Sequence, residues 1–206
     1  MPATKKTDNH YLADKVALRI KHSCWPADNK PLRVLDCFGG KGVVWAAVGK
    51  TAGKDIEGTA IDERIDLVQF HIHGDNARVI CELNLTEYDV IDLDAYGIPA
   101  EQIDLVIKSG FRGVVFVTAI QTMHGGLPHK LMDDLCFPAA IKELAPSLVA
   151  RRGWDYLKEW LCSKGVKAIV HRSKGRKHYF CFTLSGAAES EGGSGSLVED
   201  TVVSPS

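Results

Sequence analysis

The feature that most restricts this chain is a glycine turn held between a strand run and a helix run. Val34-Leu35-Asp36 is apolar and closes on an acid, Gly39-Gly40-Lys41-Gly42 follows, and Val43 opens a helical run that reaches Val48. A strand feeding a helix through glycines belongs to an open α/β sheet, where ligands lie beyond the carboxyl ends of the strands. Glycines there let a ligand touch backbone, because no Cβ stands in the way.

The rest of the chain repeats the alternation. Helical patterns run from Tyr11 to His22, Arg64 to His73, Pro99 to Ser109 and Trp154 to Cys162, with a broken stretch from Leu131 to Ala150. Strand runs fall at Leu32 to Cys37, Gly58 to Ile61, Ala77 to Leu83, Asp89 to Leu93 and Gly113 to Ile120. Two more, Val166 to His171 and His178 to Leu184, flank a basic turn from Arg172 to Lys177. The expected fold is α/β: a seven-stranded, mostly parallel, Rossmann-like sheet that ends in a C-terminal antiparallel hairpin. Residues 1–184 are expected to form one domain, and the Gly/Ser/Glu-rich residues 185–206 a disordered tail.

Composition sets outer bounds. With 206 residues and 45% apolar content, the chain can bury one sizeable core. The polar N-terminus lacks the apolar stretch of a signal peptide, and no apolar run approaches the ~18 residues of a membrane span. The expectation is a cytoplasmic protein with no membrane partner. Cys24, Cys37, Cys81, Cys136, Cys162 and Cys181 are scattered without a CxxC, so reduced and buried thiols are expected. His71 and His73 are two apart, and His124 and His129 flank a glycine loop. Neither pair has a metal-ligand spacing, and no metal is expected.

Two ligand classes fail at the glycine turn. A triphosphate loop needs GxxxxGK[ST], but five residues before Gly49-Lys50-Thr51 stands Val44. A dinucleotide turn needs a small residue three after its second glycine, and Trp45 stands there. The segment instead resembles the first motif of class I methyltransferases, D-x-F-x-G-x-G, through Asp36, Phe38, Gly40 and Gly42. The resemblance implies S-adenosylmethionine as cofactor, with Asp36 facing its methionine part and the glycines passing beneath it. A carboxylate close to a sulfonium and an ammonium group is electrostatically favourable.

A second anchor lies 20 residues after Gly42, where Gly58-Thr59-Ala60-Ile61 ends on Asp62. An acid at that strand end can accept both ribose hydroxyls, with Glu63 beside it as the reserve. Asp62 also fits a helix N-cap. Asn84, just past the expected third strand, is the candidate for the adenine.

The fourth strand runs into Asp92-Leu93-Asp94-Ala95-Tyr96-Gly97-Ile98-Pro99. This looks like the acceptor motif of amino-methylating nucleic-acid enzymes. It is most similar to the tRNA guanine-N2 dimethyltransferase family, D-x-D-P-F-G-x-P, with Ala95 in place of the motif proline. Val117-Thr118-Ala119 also matches that family. The likeness covers about the middle half of the chain, which lacks room for that family's additional C-terminal domain. It implies transfer to an exocyclic amine, which Asp94 and the Ala95 carbonyl orient and Tyr96 stacks upon. Asp92 and Asp94 equally fit a solvated capping cluster. The sequence argues against pyrimidine C5 methylation, because no cysteine lies between Cys81 and Cys136 to act as nucleophile.

Charge is uneven. Residues 151–184 hold nine Lys/Arg against Asp155 and Glu159, whereas residues 1–150 hold sixteen basic and twenty acidic residues. Arg172, Lys174, Arg176 and Lys177 form a phosphate-binding candidate or a solvated turn. The combined reading is a methyltransferase for an amino nitrogen of a nucleic-acid base, RNA ahead of DNA. The alternatives are a small-molecule or protein methyltransferase, or a non-catalytic cofactor- or nucleic-acid-binding module.

Overall fold

A computed structural model describes residues 11–63, 71–120, 127–144 and 152–185. In chain order the elements are α1 (Leu12–His22), β1 (Leu32–Asp36), α2 (Val43–Ala52), β2 (Ile56–Asp62), β3 (His71–His73) and α3 (Asn76–Glu82). A short 3-10 turn (Leu85–Glu87) leads to β4 (Val90–Asp94), α4 (Ala100–Lys108) and β5 (Gly113–Ile120). Then come α5 (His129–Asp134), α6 (Ala139–Leu144), α7 (Gly153–Ser163), β6 (Ile169–Lys174) and β7 (Lys177–Leu184).

The strands form one seven-stranded sheet in the order β3-β2-β1-β4-β5-β7-β6. The first five are parallel, and β7 runs antiparallel to both β5 and β6. This is the expected Rossmann-like sheet with its terminal hairpin. The order reverses direction at β1 and β4, so the crevice of an open sheet falls at their carboxyl ends.

Two cores cover the faces. Val34, Val90, Val114, Phe116 and Cys181 pack against Val16 and Leu18 of α1 and Trp45 and Val48 of α2. Leu35, Ile91, Leu93, Val115 and Phe180 pack on the other face against Ile80 of α3, Ile103 of α4, Leu131 of α5 and Trp160 of α7. Alternation along each strand divides its residues between these cores. On the second face Asp104 of α4 draws in Lys108, Lys130 and Lys164, which ties α4 to α5 and α7.

Three expectations are corrected. The third strand is His71–His73, and the run from Ala77 to Leu83 is helical. Asp75 accepts the Arg78 amide hydrogen and starts that helix, while Val79 and Ile80 bury one side of it. The β-branched residues that suggested a strand pack here at helical spacing. Residues 64–70 of the predicted second helix lie outside the described residues, as do 186–206 of the predicted tail. The hairpin turn is shorter than expected: strand pairing continues to Lys174↔Lys177, leaving Gly175 and Arg176 as the connection. Gly175 has φ +60, the positive value a two-residue II′ hairpin needs at its first position. Lastly, only Cys37 and Cys181 are buried; Cys24, Cys81, Cys136 and Cys162 are exposed, and all six are free thiols.

Candidate active site

The turn after β1 is shaped by close approach to β2. A Cβ on Gly39 would lie 2.5 Å from the Ala60 Cβ, so only glycine fits between the turn and the sheet. Gly40 and Gly42 hold φ of +49 and +65, and Gly42 caps the start of α2. The Asp62 carboxylate accepts the Gly40 amide at 3.1 Å, so the second strand end buttresses the first turn. Glu63 is exposed beside it, and its carbonyl oxygen lies 2.9 Å from His73 Nε2. Asp36, Phe38, Gly40, Gly42, Asp62 and Glu63 therefore share one rim.

Asn84 does not join them. It caps the 3-10 turn that leads into the amino end of β4, accepting the Thr86 amide and donating to Glu87. That end of the sheet is opposite the crevice. The residues that follow β3 at the crevice end are Asp75 and Asn76, and Asn76 Oδ1 is buried with no partner among the described residues. Once β3 is misplaced in the sequence, this pair cannot be found from it.

Beneath the rim lies a charged floor. Asp36 stands in register with Asp92, which lies in line with Asp94, so all three carboxylates occupy the α1/α2 face. Asp92 is fully buried and takes a bidentate bond from Arg19 at 2.6 and 2.7 Å, with the Trp45 indole donating at 2.6 Å. Trp45, too large for a dinucleotide turn, is thus the third partner of a buried ion pair. Asp94 receives Lys15 Nζ on both oxygens, at 2.6 and 2.7 Å. It also bonds Thr118, its cross-strand neighbour on β5. Burial pushes the Asp94 carboxyl up, but Arg19 and Lys15 outweigh this and hold it below the usual carboxylate range. Among the described residues Asp36 has only the Phe38 amide, at 3.2 Å. Burial, and then Asp92 and Asp94, push its carboxyl well above the usual range.

Lys15 and Arg19 escaped the sequence analysis, which read Tyr11 to His22 only as a helical pattern with Leu12, Val16 and Ile20 on one apolar face. The legible signal was a basic i, i+4 pair beside that apolar stripe, in a chain with three acids at adjacent strand ends.

The acceptor turn is held despite Ala95. The Ala95 amide donates to the Leu93 carbonyl at 2.8 Å, a bond proline could not make. Ile120 donates to the Gly97 carbonyl at 2.8 Å and ties the turn to β5, while Gly97 has φ +130. Ala95 is buried, and Tyr96 projects with 68% of its surface exposed.

The hairpin reaches the same edge. Because β7 starts where β5 ends, the Gly175 tip stands at the crevice end of the sheet. Register puts Arg172 beside Tyr179, and Tyr179 beside Thr118 and Asp94. Arg172, Lys174 and Lys177 thus share the sheet face that carries Asp94, with Arg176 at the tip. Lys177 lies over the Tyr11 ring, 5.2 Å from its centroid.

Comparison with known proteins places the fold. No family model and no curated protein matches the chain. The structure is similar to a Staphylococcus aureus protein described as a caffeoyl-CoA O-methyltransferase. Identity is 13% and the TM-score 0.51, over 86% of this chain and 85% of that one. It is also similar to SAH-bound Podospora anserina methyltransferase PaMTH1, at 10% identity and TM-score 0.50, over 90% and 83%. A Burkholderia thailandensis O-methyltransferase family protein matches 85% of this chain at 16% identity and TM-score 0.46, and this chain spans 55% of it. The architecture is the Rossmann-like fold of class I methyltransferases.

Proposed function

We propose that this chain binds S-adenosylmethionine and methylates an amino nitrogen of a nucleic-acid base, RNA ahead of DNA. The observation that carries the reading is the β4 turn. A carboxylate kept ionised by Lys15 sits next to an exposed tyrosine, on a sheet edge shared with a basic hairpin.

The residues present fit the cofactor. The Gly39 turn leaves no Cβ above β2, Asp36 is a carboxylate with no ion pair among the described residues, and Asp62 ends β2, where it would accept the ribose hydroxyls. On this reading Asn76, rather than Asn84, would meet the adenine, because its buried Oδ1 has no partner among the described residues. When bound, the cofactor supplies the electrophilic methyl.

The protein contributes geometry. An exocyclic amine is a poor nucleophile, because its lone pair is delocalised into the base. Asp94 accepts its N–H, turns the lone pair toward the crevice and offsets the positive charge that develops there. One lone pair remains for this on a carboxylate already bonded twice by Lys15 and once by Thr118. Tyr96 stacks on the base, and the Ala95 carbonyl is the second acceptor. Arg172, Lys174, Arg176 and Lys177 hold the backbone phosphates without reading sequence.

The test is labelled S-adenosylmethionine with pools of tRNA, rRNA, DNA and protein. Label should enter nucleic acid, and Asp94→Ala should cut the single-turnover rate by about 10²–10³ while changing cofactor affinity only a few fold. Label in protein alone would overturn the substrate class. Cofactor binding without transfer to any pool would reduce the chain to a binding module.

A further inference from the structure

Among the described residues, the floor of the crevice holds more carboxylates than cations. Asp36, Asp92 and Asp94 share one face of β1 and β4, and α1 delivers only Arg19 and Lys15 to them. Arg19 is committed to Asp92 on two bonds and Lys15 to Asp94 on two. Asp36 is left with one amide and 8% exposure. Asp36 also feels the charge of Arg19, but that guanidinium is spent on Asp92, and among the described residues no other cation balances it. Asp62 adds a further acid on β2, Trp45 is neutral, and the Cys37 thiol faces the opposite core. A buried carboxylate without a counter-charge takes up a proton rather than pay the desolvation cost of ionisation.

We propose that Asp36 carries a proton while the crevice is empty and releases it when S-adenosylmethionine binds. This one carboxylate thereby distinguishes the cofactor from its demethylated product. The proposal rests on the cofactor assignment above. S-adenosylmethionine carries a sulfonium, an ammonium and a carboxylate, one net positive charge. S-adenosylhomocysteine has a thioether in place of the sulfonium and no net charge. On binding, the Asp36 O–H bond breaks, the proton passes to solvent, and the ligand's surplus charge balances the carboxylate that remains. Once the methyl has left, sulfur is neutral and the ligand's ammonium is offset by its own carboxylate, so no surplus charge holds Asp36 ionised and it takes a proton back from solvent. Charge on the floor therefore favours the reactive cofactor at loading and loosens its hold once the methyl is gone.

Titration calorimetry of the full chain tests this without an acceptor. Each ligand is titrated near pH 6 in two buffers of different ionisation enthalpy, which gives protons released per ligand bound. S-adenosylmethionine should release a proton fraction approaching one, and S-adenosylhomocysteine close to none. From about pH 5 to 7 the ligands' own carboxyl and amino groups scarcely titrate, so affinity should rise with pH for the first and stay flat for the second. Asp36→Asn is isosteric with the neutral, protonated carboxyl of the empty crevice, so it should fold. It should abolish the linked proton and lower the preference for S-adenosylmethionine over the product by on the order of tenfold. Lys15→Met strands a second carboxylate, Asp94, and should raise the proton count above wild type. Equal release by both ligands, or release that persists in Asp36→Asn, would overturn the proposal while leaving the cofactor assignment intact. No binding of either ligand would remove the assignment and the proposal together.

Discussion

Arg19 is buried to 1% exposure, and Asp92 beneath it is equally enclosed. Taking two ions out of water costs several kcal/mol each, so the pair is retained only because its hydrogen bonds are complete. The Trp45 indole supplies the bond that Arg19 cannot. Arg19→Met should destabilise the fold by about 3–5 kcal/mol, because it strands Asp92. The double variant Arg19→Met/Asp92→Asn should recover part of that loss. Urea unfolding checks both, and a double variant no better than the single would mean that Arg19 acts through packing alone. At the crevice mouth Tyr96 has no comparable structural duty, since two-thirds of its surface is free. Tyr96→Ala should therefore leave stability within about 0.5 kcal/mol of wild type. It should raise the acceptor KM through lost stacking of about 1–3 kcal/mol, while Tyr96→Phe keeps the ring and most of the binding. Steady-state kinetics on the acceptor found with the labelled pools would show it, and an unchanged KM in Tyr96→Ala would place the base elsewhere.

Among the elements, the β6–β7 hairpin has a different chemistry on each side. Its α1 side carries Arg172, Lys174 and Lys177. Replacing these and Arg176 with Ala should weaken RNA binding and flatten the salt dependence, by about 0.7 for each phosphate left unneutralised on a single strand. Equilibrium binding at several salt concentrations measures the slope, and an unaltered slope would make the hairpin a solvated tip. On its α7 side, Trp154 stacks on His171 at 3.6 Å, and His171 Nε2 meets His178 Nδ1 at 3.1 Å. Burial, helped by His178 and Lys158, pulls His171 down to about 4. The unfolded imidazole titrates near 6.5, so between about 6.5 and 4 the unfolded chain binds the extra proton and stability falls as pH falls. His171→Phe keeps a ring on Trp154 and should flatten that slope, read from urea unfolding at stepped pH. A slope as steep as wild type would assign the acid sensitivity elsewhere. What was legible in the sequence follows the same division by element. β1, β4 and β5 are continuous apolar runs and were bounded to within a residue or two. α3 was missed because Val79, Ile80 and Cys81 resemble a strand until Asp75 is seen capping them. β3, only three residues long, offers no period to read. Of the site, the glycine turn and the strand-end acids were visible because their chemistry lies in contiguous motifs. Lys15 and Arg19 were not, because they reach Asp94 and Asp92 from 79 and 73 residues away.

Across the whole molecule, the crevice gathers three strand ends that the sheet alone does not lock together. The Gly39 turn meets β2 through Gly40 and Asp62, β1 adjoins β4 through Asp36 and Asp92, and α1 fastens to β4. A ligand that touches all of these binds the folded state and not the unfolded chain, so it must raise the melting temperature by mass action. At a hundred times its Kd, S-adenosylmethionine should add about 2.7 kcal/mol. For a domain of this size that is a rise of roughly 5–10 °C. Variants should divide by position. Asp62→Ala removes the buttress of Gly40 and the ribose acceptor together, so at fixed ligand concentration it should lose much of the shift, about 1–3 kcal/mol of binding. Gly39→Ala drives a methyl into Ala60 and should lower both the ligand-free melting temperature and the shift. Asp94→Ala lies beyond the cofactor and should keep the shift nearly intact. Thermal scans of the four proteins with and without ligand make the comparison. A wild type that does not shift, or an Asp62→Ala variant that shifts as far as wild type, would mean that the glycine turn and the second strand end hold something other than this cofactor.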